Sequence, residues 1–112
     1  MLKTFLVSAL AAITLVGLAR PHPAEAALVR RSMLIQACTA HDQQRLNDCA
    51  GYIAGIADMA DSGPQGVCIP PGLKVGLLRQ GVTNWLQSHT TSDGPAAPSV
   101  LAALRTLYRC PG

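Results

Sequence analysis

The chain has 112 residues, 49% of them hydrophobic and 13% charged, with nine Lys or Arg against six Asp or Glu and a formal net charge of +3. That length holds one small domain, and a chain of this size hides only about 60–65% of its unfolded surface, so its core is marginal without covalent help. The mild charge is scattered and never alternates with aromatic side chains, which argues against a nucleic-acid groove.

The first 26 residues stand apart. Lys3 precedes an apolar run from Phe5 to Ala19, and the segment leaves through Arg20-Pro-His-Pro-Ala-Glu-Ala26. A charged start, an apolar centre and the small-residue end Ala24-Glu25-Ala26 predict a secretory signal peptide over 1–26, cleaved before Ala27. The run is shorter than the about 20 apolar residues of a membrane span, so membrane contact is expected only through this signal. Subtracting 26 residues from 112 leaves an 86-residue domain, 27–112, with seven basic and five acidic residues and a net charge of +2. All four cysteines, Cys38, Cys49, Cys68 and Cys110, lie in that domain. An even cysteine count in a small exported chain implies two disulfides and an oxidising compartment, here the periplasm. Each bridge contributes about 2–4 kcal/mol, mainly by restricting the unfolded chain.

Four helical patterns follow, and no stretch alternates at period two. The first spans about Ala27 to Ala40, with Leu28, Leu34, Ile35 and Cys38 as its apolar members. The second spans Gln43 to Ala60, where Leu46, Cys49, Ala50, Ile53, Ile56, Ala57 and Ala60 keep helical spacing. Asp42 fits its N-cap, and Asp61-Ser-Gly-Pro64 ends it with turn chemistry. The connection Asp61 to Gly72 holds Cys68-Ile-Pro-Pro-Gly72, whose prolines and glycines exclude a helix. A third helix, Lys74 to His89, carries Val75, Leu78, Val82, Trp85 and Leu86 on one face. Thr90-Thr-Ser-Asp-Gly-Pro95 is a loop by composition, and Leu101, Leu104 and Tyr108 stripe a fourth helix from Ala97 to Tyr108. The predicted fold is all-α, a small bundle of about four helices stapled by two disulfides.

Within the second helix, Cys49-Ala-Gly-Tyr-Ile-Ala-Gly-Ile-Ala-Asp58 places Gly51 and Gly55 one turn apart. Glycine inside a helix costs about 0.5–1 kcal/mol relative to alanine, so close approach of another element is expected there. Trp85 or Tyr108 is the expected occupant, and Gly51, Tyr52, Gly55 and Trp85 are read as packing residues. Asp58 opposes the helix dipole and reads as a solvated or loop-capping residue.

The chemistry of an enzyme is missing. A thiol nucleophile needs a free cysteine beside a histidine, but all four cysteines have expected partners and the domain holds only His41 and His89. Cysteine spacings offer no C-x-x-C pair for zinc. Asp58 and Asp61 sit at a helix end where a solvated pair is commoner than an acid–base pair. Gly72-Leu-Lys-Val-Gly76 lacks the Gly-Lys-Ser/Thr end of a phosphate loop. The chain is therefore expected to be a non-enzyme without cofactor or metal, acting by binding through its loops.

The order Cys38, Cys49-Ala-Gly-Tyr-Ile-Ala-Gly-Ile-Ala-Asp58, Cys68-Ile-Pro-Pro-Gly72, Trp85-Leu-Gln-Ser-His89, Ala102-Ala-Leu104 and Cys110-Pro resembles the Rap/Tai family, the periplasmic immunity proteins of type VI secretion systems. The likeness covers about Leu34 to Pro111. Two departures are Thr90, where the family often has proline after the histidine, and Tyr108-Arg109-Cys110, where it usually ends aromatic-Pro-Cys. The resemblance implies a homodimer that inserts loop and helix residues into the active-site cleft of a papain-like peptidoglycan amidase effector and keeps substrate out. It points to the loop Gln87 to Pro95 as partner surface, with Arg79, Gln87, His89 and Asp93 as contacts and Asp61 to Gly66 as a second patch.

The family is also remotely similar to acid-stress chaperones of the Hde type, which implies an alternative role as a binder of unfolding clients at low pH. Five carboxylates and two histidines are a thin set for an acid switch. An orphan domain that has lost its effector is a further alternative. Three disulfide connectivities are open. An up-and-down bundle would join Cys38 to Cys49 and Cys68 to Cys110. Similarity to the acid chaperones instead implies Cys38–Cys68, leaving Cys49–Cys110, and that is the expectation.

Overall fold

The computed structural model describes residues 28–112. The signal peptide expected over 1–26 and the start of the domain at Ala27 lie outside the described residues. Four helices form: α1 (Arg31–Cys38), α2 (Gln43–Ala60), α3 (Val75–Ser88) and α4 (Ala96–Leu107). No longer strand joins them among the described residues, only isolated bridges at Arg30–Pro95, Asp61–Val67 and Val67–Arg109. The all-α bundle predicted by the periodicity is the fold.

Helix ends follow local chemistry. The Asp42 carboxylate accepts the Arg45 N–H at 3.0 Å and so caps α2 where the sequence predicts. At the other end the Asp61 carboxylate accepts the Ile69 N–H at 2.8 Å, closing the loop that leaves α2. Ser62 takes up φ 57° there and donates its N–H to the Val67 carbonyl at 2.8 Å. The first helix starts later than expected, at Arg31 rather than Ala27, because Arg30 is extended and the bend at Val29 is tied to the end of the 90–95 loop. The Ala96 N–H donates to the Val29 carbonyl at 3.0 Å, and Arg30 bridges Pro95. Pro98 sits in the first turn of α4, where a missing N–H leaves no helical hydrogen bond unmade.

The core lies where all four helices meet. Ile53 of α2, Val82 and Leu86 of α3, and Val100 and Leu104 of α4 are fully buried, with Leu34 of α1 closing one side. Burying each of the larger side chains contributes about 1.5–3 kcal/mol. Val67, from the long loop, is also fully buried, held by its bridges to Asp61 and Arg109.

Two expectations are corrected. Disulfides join Cys38 to Cys49 and Cys68 to Cys110, not Cys38 to Cys68 and Cys49 to Cys110. The four-residue turn after α1 folds α2 back beside it and brings the Cys38 and Cys49 Cα atoms within 5.1 Å. Cys68 is held elsewhere: its N–H donates to the Tyr108 carbonyl at 2.8 Å, and the Cys110 N–H donates to the Gly66 carbonyl at 3.2 Å. The pairing follows the bundle topology, and the one implied by the acid chaperones does not form.

The second correction concerns Gly51 and Gly55. Neither Trp85 nor Tyr108 fills the space beside them, since a Cβ added at either glycine would meet nothing within 4 Å. Both glycines are exposed on the outer side of α2. The close approach occurs at Gly81 of α3, where an added Cβ would lie 3.6 Å from Leu107 Cδ1 and 3.7 Å from the Tyr108 hydroxyl. Tyr52 and Trp85 are half-buried and pack against the rim of the core.

Candidate functional site

The loop between α3 and α4 is tied to the N-terminus of α1 from both sides. On the α3 side Arg31, only 8% exposed, sends its guanidinium to the carbonyls of Leu86 and His89, the latter at 2.6 Å. The last carbonyls of a helix have no partner within it and carry the negative end of the helix dipole. Arg31 satisfies two of them with a buried positive charge. That explains why a cation tolerates the first turn of α1, where it opposes its own helix's dipole: its charge is spent on α3.

On the α4 side the anchor is Asp93. One carboxylate oxygen accepts the Ser32 N–H at 3.0 Å, and the other accepts the Ser32 hydroxyl at 2.8 Å and the Arg30 Nε at 3.1 Å. Helix α1 has no side-chain cap from its own N-cap residue, Arg30, so Asp93 caps it from a distant loop. The Ser32 amide and hydroxyl, with Arg30 assisting, hold the Asp93 carboxyl down to about 2. Gly94 completes the seam by accepting the Arg31 N–H at 2.8 Å.

Between the two anchors Thr90, Thr91 and Ser92 are exposed, and the Thr91 hydroxyl turns back only onto the Ser92 carbonyl, at 3.1 Å. His89 opens the loop. Its ring stacks on Trp85 with centroids 3.9 Å apart and planes 9° from parallel. His89 Nδ1 lies 2.8 Å from the Trp85 carbonyl. A carbonyl can only accept, so this contact holds the tautomer with its proton on Nδ1. The indole Nε1 of Trp85 is buried without a partner.

The expected contact residues thus divide. Gln87, His89 and Asp93 share the loop and its approach, all exposed, while Arg79 lies two turns earlier on α3 and is half-buried. Asp93 is engaged within the molecule, in the one ion pair among the described residues. Asp61 belongs to the other loop, where it accepts the Ile69 N–H. The segment Asp61 to Gly66 is itself braced by Arg105, whose guanidinium donates to the Gln65 carbonyl at 3.0 Å and to its side-chain oxygen at 2.5 Å. Sequence reading missed Arg31, Ser32 and Arg30. The only signal was the position of Arg31 at a helix start, which is unfavourable to the dipole and therefore asks for a use elsewhere.

Each loop presents a short exposed tip on a fixed base, an arrangement suited to filling a partner's concave surface at small entropic cost. Among the described residues no three His, Cys, Asp or Glu side chains gather as a metal site, and no helix is long and apolar enough to cross a membrane. Compared with known proteins, residues 30–110 match the family model described as Rap1a immunity proteins. No curated protein and no solved structure matches the chain.

Proposed function

The chain belongs to the Rap1a immunity proteins, and from that premise we propose that it is a periplasmic, non-enzymatic inhibitor that occupies the active-site cleft of a papain-like peptidoglycan amidase delivered by type VI secretion. The observation that carries this reading is the loop after α3, fixed to α1 at both ends by Arg31 and Asp93 while Thr90 to Ser92 stay free. A loop ordered before binding loses little conformational entropy in the complex, which is how small protein inhibitors reach high affinity. Gln87, His89 and Arg79 are the proposed contacts on this side, Asp93 acting by holding the tip in place. Asp61 to Gly66 form the second patch, and a homodimer would present both loops twice.

In this reading residues 1–26 are a signal peptide that carries the domain 27–112 across the inner membrane, where its two disulfides form. The pairing Cys38–Cys49 and Cys68–Cys110 removes one argument for an acid-stress chaperone, whose likeness implied the other connectivity.

The test is co-production with periplasmically directed papain-like amidases of type VI systems, scored by cell lysis and by inhibition of the purified amidase at pH 7. One amidase should be inhibited and its toxicity suppressed, and replacing Thr90-Thr91-Ser92 by three glycines should abolish both. Inhibition that survives this replacement would remove the loop from the reading. Mixed unfolded clients bound only in acid would replace immunity with the chaperone role.

A further inference from the structure

Helix α2 leaves a surface that the fold does not use. Gly51 and Gly55 face open space, and Asp48 and Asp58 flank them at helical spacing, so the four residues share one side of the helix. These two aspartates are exposed, and neither forms an ion pair or a side-chain hydrogen bond among the described residues. The other three aspartates there are all engaged within the fold. Asp42 caps α2, Asp61 closes the following loop, and Asp93 caps α1.

Beside this stripe lie two apolar hollows where α2 faces α4. Tyr52 and Ala97, with Leu28, Val29 and Pro95, line a hollow of about 340 Å³, and one turn further along both helices Ile56 and Leu101, with Ala60 and Gln65, line a second of about 180 Å³. Met59, 87% exposed, stands at the rim of the second hollow. The two hollows offer seats for apolar side chains one turn apart, and the unpaired carboxylates stand beside them.

We propose that this face docks an α-helix of a protein partner, through apolar side chains seated in the two hollows and lysines or arginines paired with Asp48 and Asp58. The aspartates are ten residues apart, about 15 Å along α2. They therefore match cations about three turns apart on the incoming helix. Gly51 and Gly55, without side chains between them, let its backbone come close. Charge decides against a second copy packing α2 on α2, because that arrangement adds two more carboxylates to the same interface. The proposal rests on the chain being an immunity-type binding protein and gives it a further surface, which meets the loop after α3 at Pro95 and the 61–66 patch at Gln65 but not the exposed tip Thr90 to Ser92.

The test is an amide and methyl NMR titration of the oxidised protein, produced from its full coding chain. The probe is a synthetic alanine–leucine helix of about 15 residues with lysines ten apart, compared with the same peptide carrying glutamates. The lysine peptide should shift resonances of residues 48–59, Leu101 and the Met59 methyl group, and the glutamate peptide should not. Asp48→Asn with Asp58→Asn should weaken binding at least about tenfold. Gly55→Leu should block it while the protein stays folded. Absence of shifts up to about 1 mM peptide overturns the proposal, as do equal shifts with the glutamate peptide. Shifts of the same residues on concentrating the protein alone would give the face to a second copy instead. None of these outcomes touches the loop replacement that tests amidase inhibition.

Discussion

The Arg31 guanidinium donates to the His89 carbonyl at 2.6 Å, joining the first turn of α1 to the C-terminal end of α3 across 58 positions of sequence. This one side chain makes the start of the candidate loop a part of the core. Arg31→Met keeps the apolar stem and removes the charge-assisted bonds, leaving the buried Leu86 carbonyl unpaired. Breaking such a group costs about 2–4 kcal/mol. For a domain of this size each kcal/mol lowers Tm by about 4–8 °C. A thermal melt of Arg31→Met within a few degrees of the parent would show that the clasp carries no stability.

Asp93 ties stability to acid. Its carboxyl is held down to about 2, first by the Ser32 amide and then by the Ser32 hydroxyl, against about 3.9 in an unfolded chain. A depressed carboxyl stabilises the folded state fully above the unfolded value and loses that contribution as pH falls through the folded one. Tm of the parent should therefore exceed that of Asp93→Asn at pH 5, and the gap should close between about pH 4 and pH 2. A constant gap across that window would mean that the carboxylate contributes nothing through its charge.

Gly51, Gly55 and Gly81, three of the four glycines inside helices, should separate by their surroundings. At Gly51 and Gly55 an added methyl group meets empty space, so Gly51→Ala and Gly55→Ala should each raise stability by about 0.5–1 kcal/mol through helix propensity alone. At Gly81 the Leu107 and Tyr108 side chains stand at contact distance. A leucine there would have to displace them, at about 1–3 kcal/mol. Urea denaturation of the three variants checks this, and a destabilised Gly55→Ala would contradict the open face.

The helices are legible in the sequence because their apolar spacing is local information. Gln43 to Ala60 is readable to the residue, since Asp42 marks its start and Asp61 with Ser62 and Gly63 its end. The start of α1 is not, because Val29 and Arg30 answer to the Ala96 amide and Pro95, which no local pattern announces. The expected occupant of the Gly51–Gly55 face fails for a related reason. Spacing shows that two glycines share a side of a helix, not which side the neighbouring helices cover. The candidate loop is readable as a loop, and Asp93 as a residue within it. Its role as cap of α1, and the reach of Arg31 to α3, are long-range pairings between polar groups whose partners carry no periodic signal.

Disulfide connectivity offers a test that does not depend on stability. Cleavage before aspartate cuts ahead of residues 42, 48, 58, 61 and 93 and so puts each cysteine on its own fragment. With Cys38–Cys49 and Cys68–Cys110, the non-reduced digest should contain fragment 48–57 linked to the one ending at His41, and fragment 61–92 linked to 93–112. The rival connectivity would link the His41 fragment to 61–92. Trypsin cannot make this distinction, because Cys49 and Cys68 stay together between Arg45 and Lys74. The two bridges should also differ in effect. The unfolded-chain account gives about 3 kcal/mol for the loop closed by Cys38–Cys49 and about 4 kcal/mol for the longer one. Cys68–Cys110 further holds the loop that carries the buried Val67 against Arg109. Replacing Cys68 and Cys110 by serine should therefore lower stability more than replacing Cys38 and Cys49, and the reverse order would mean that the α1–α2 hairpin depends on its bridge more than the long loop does.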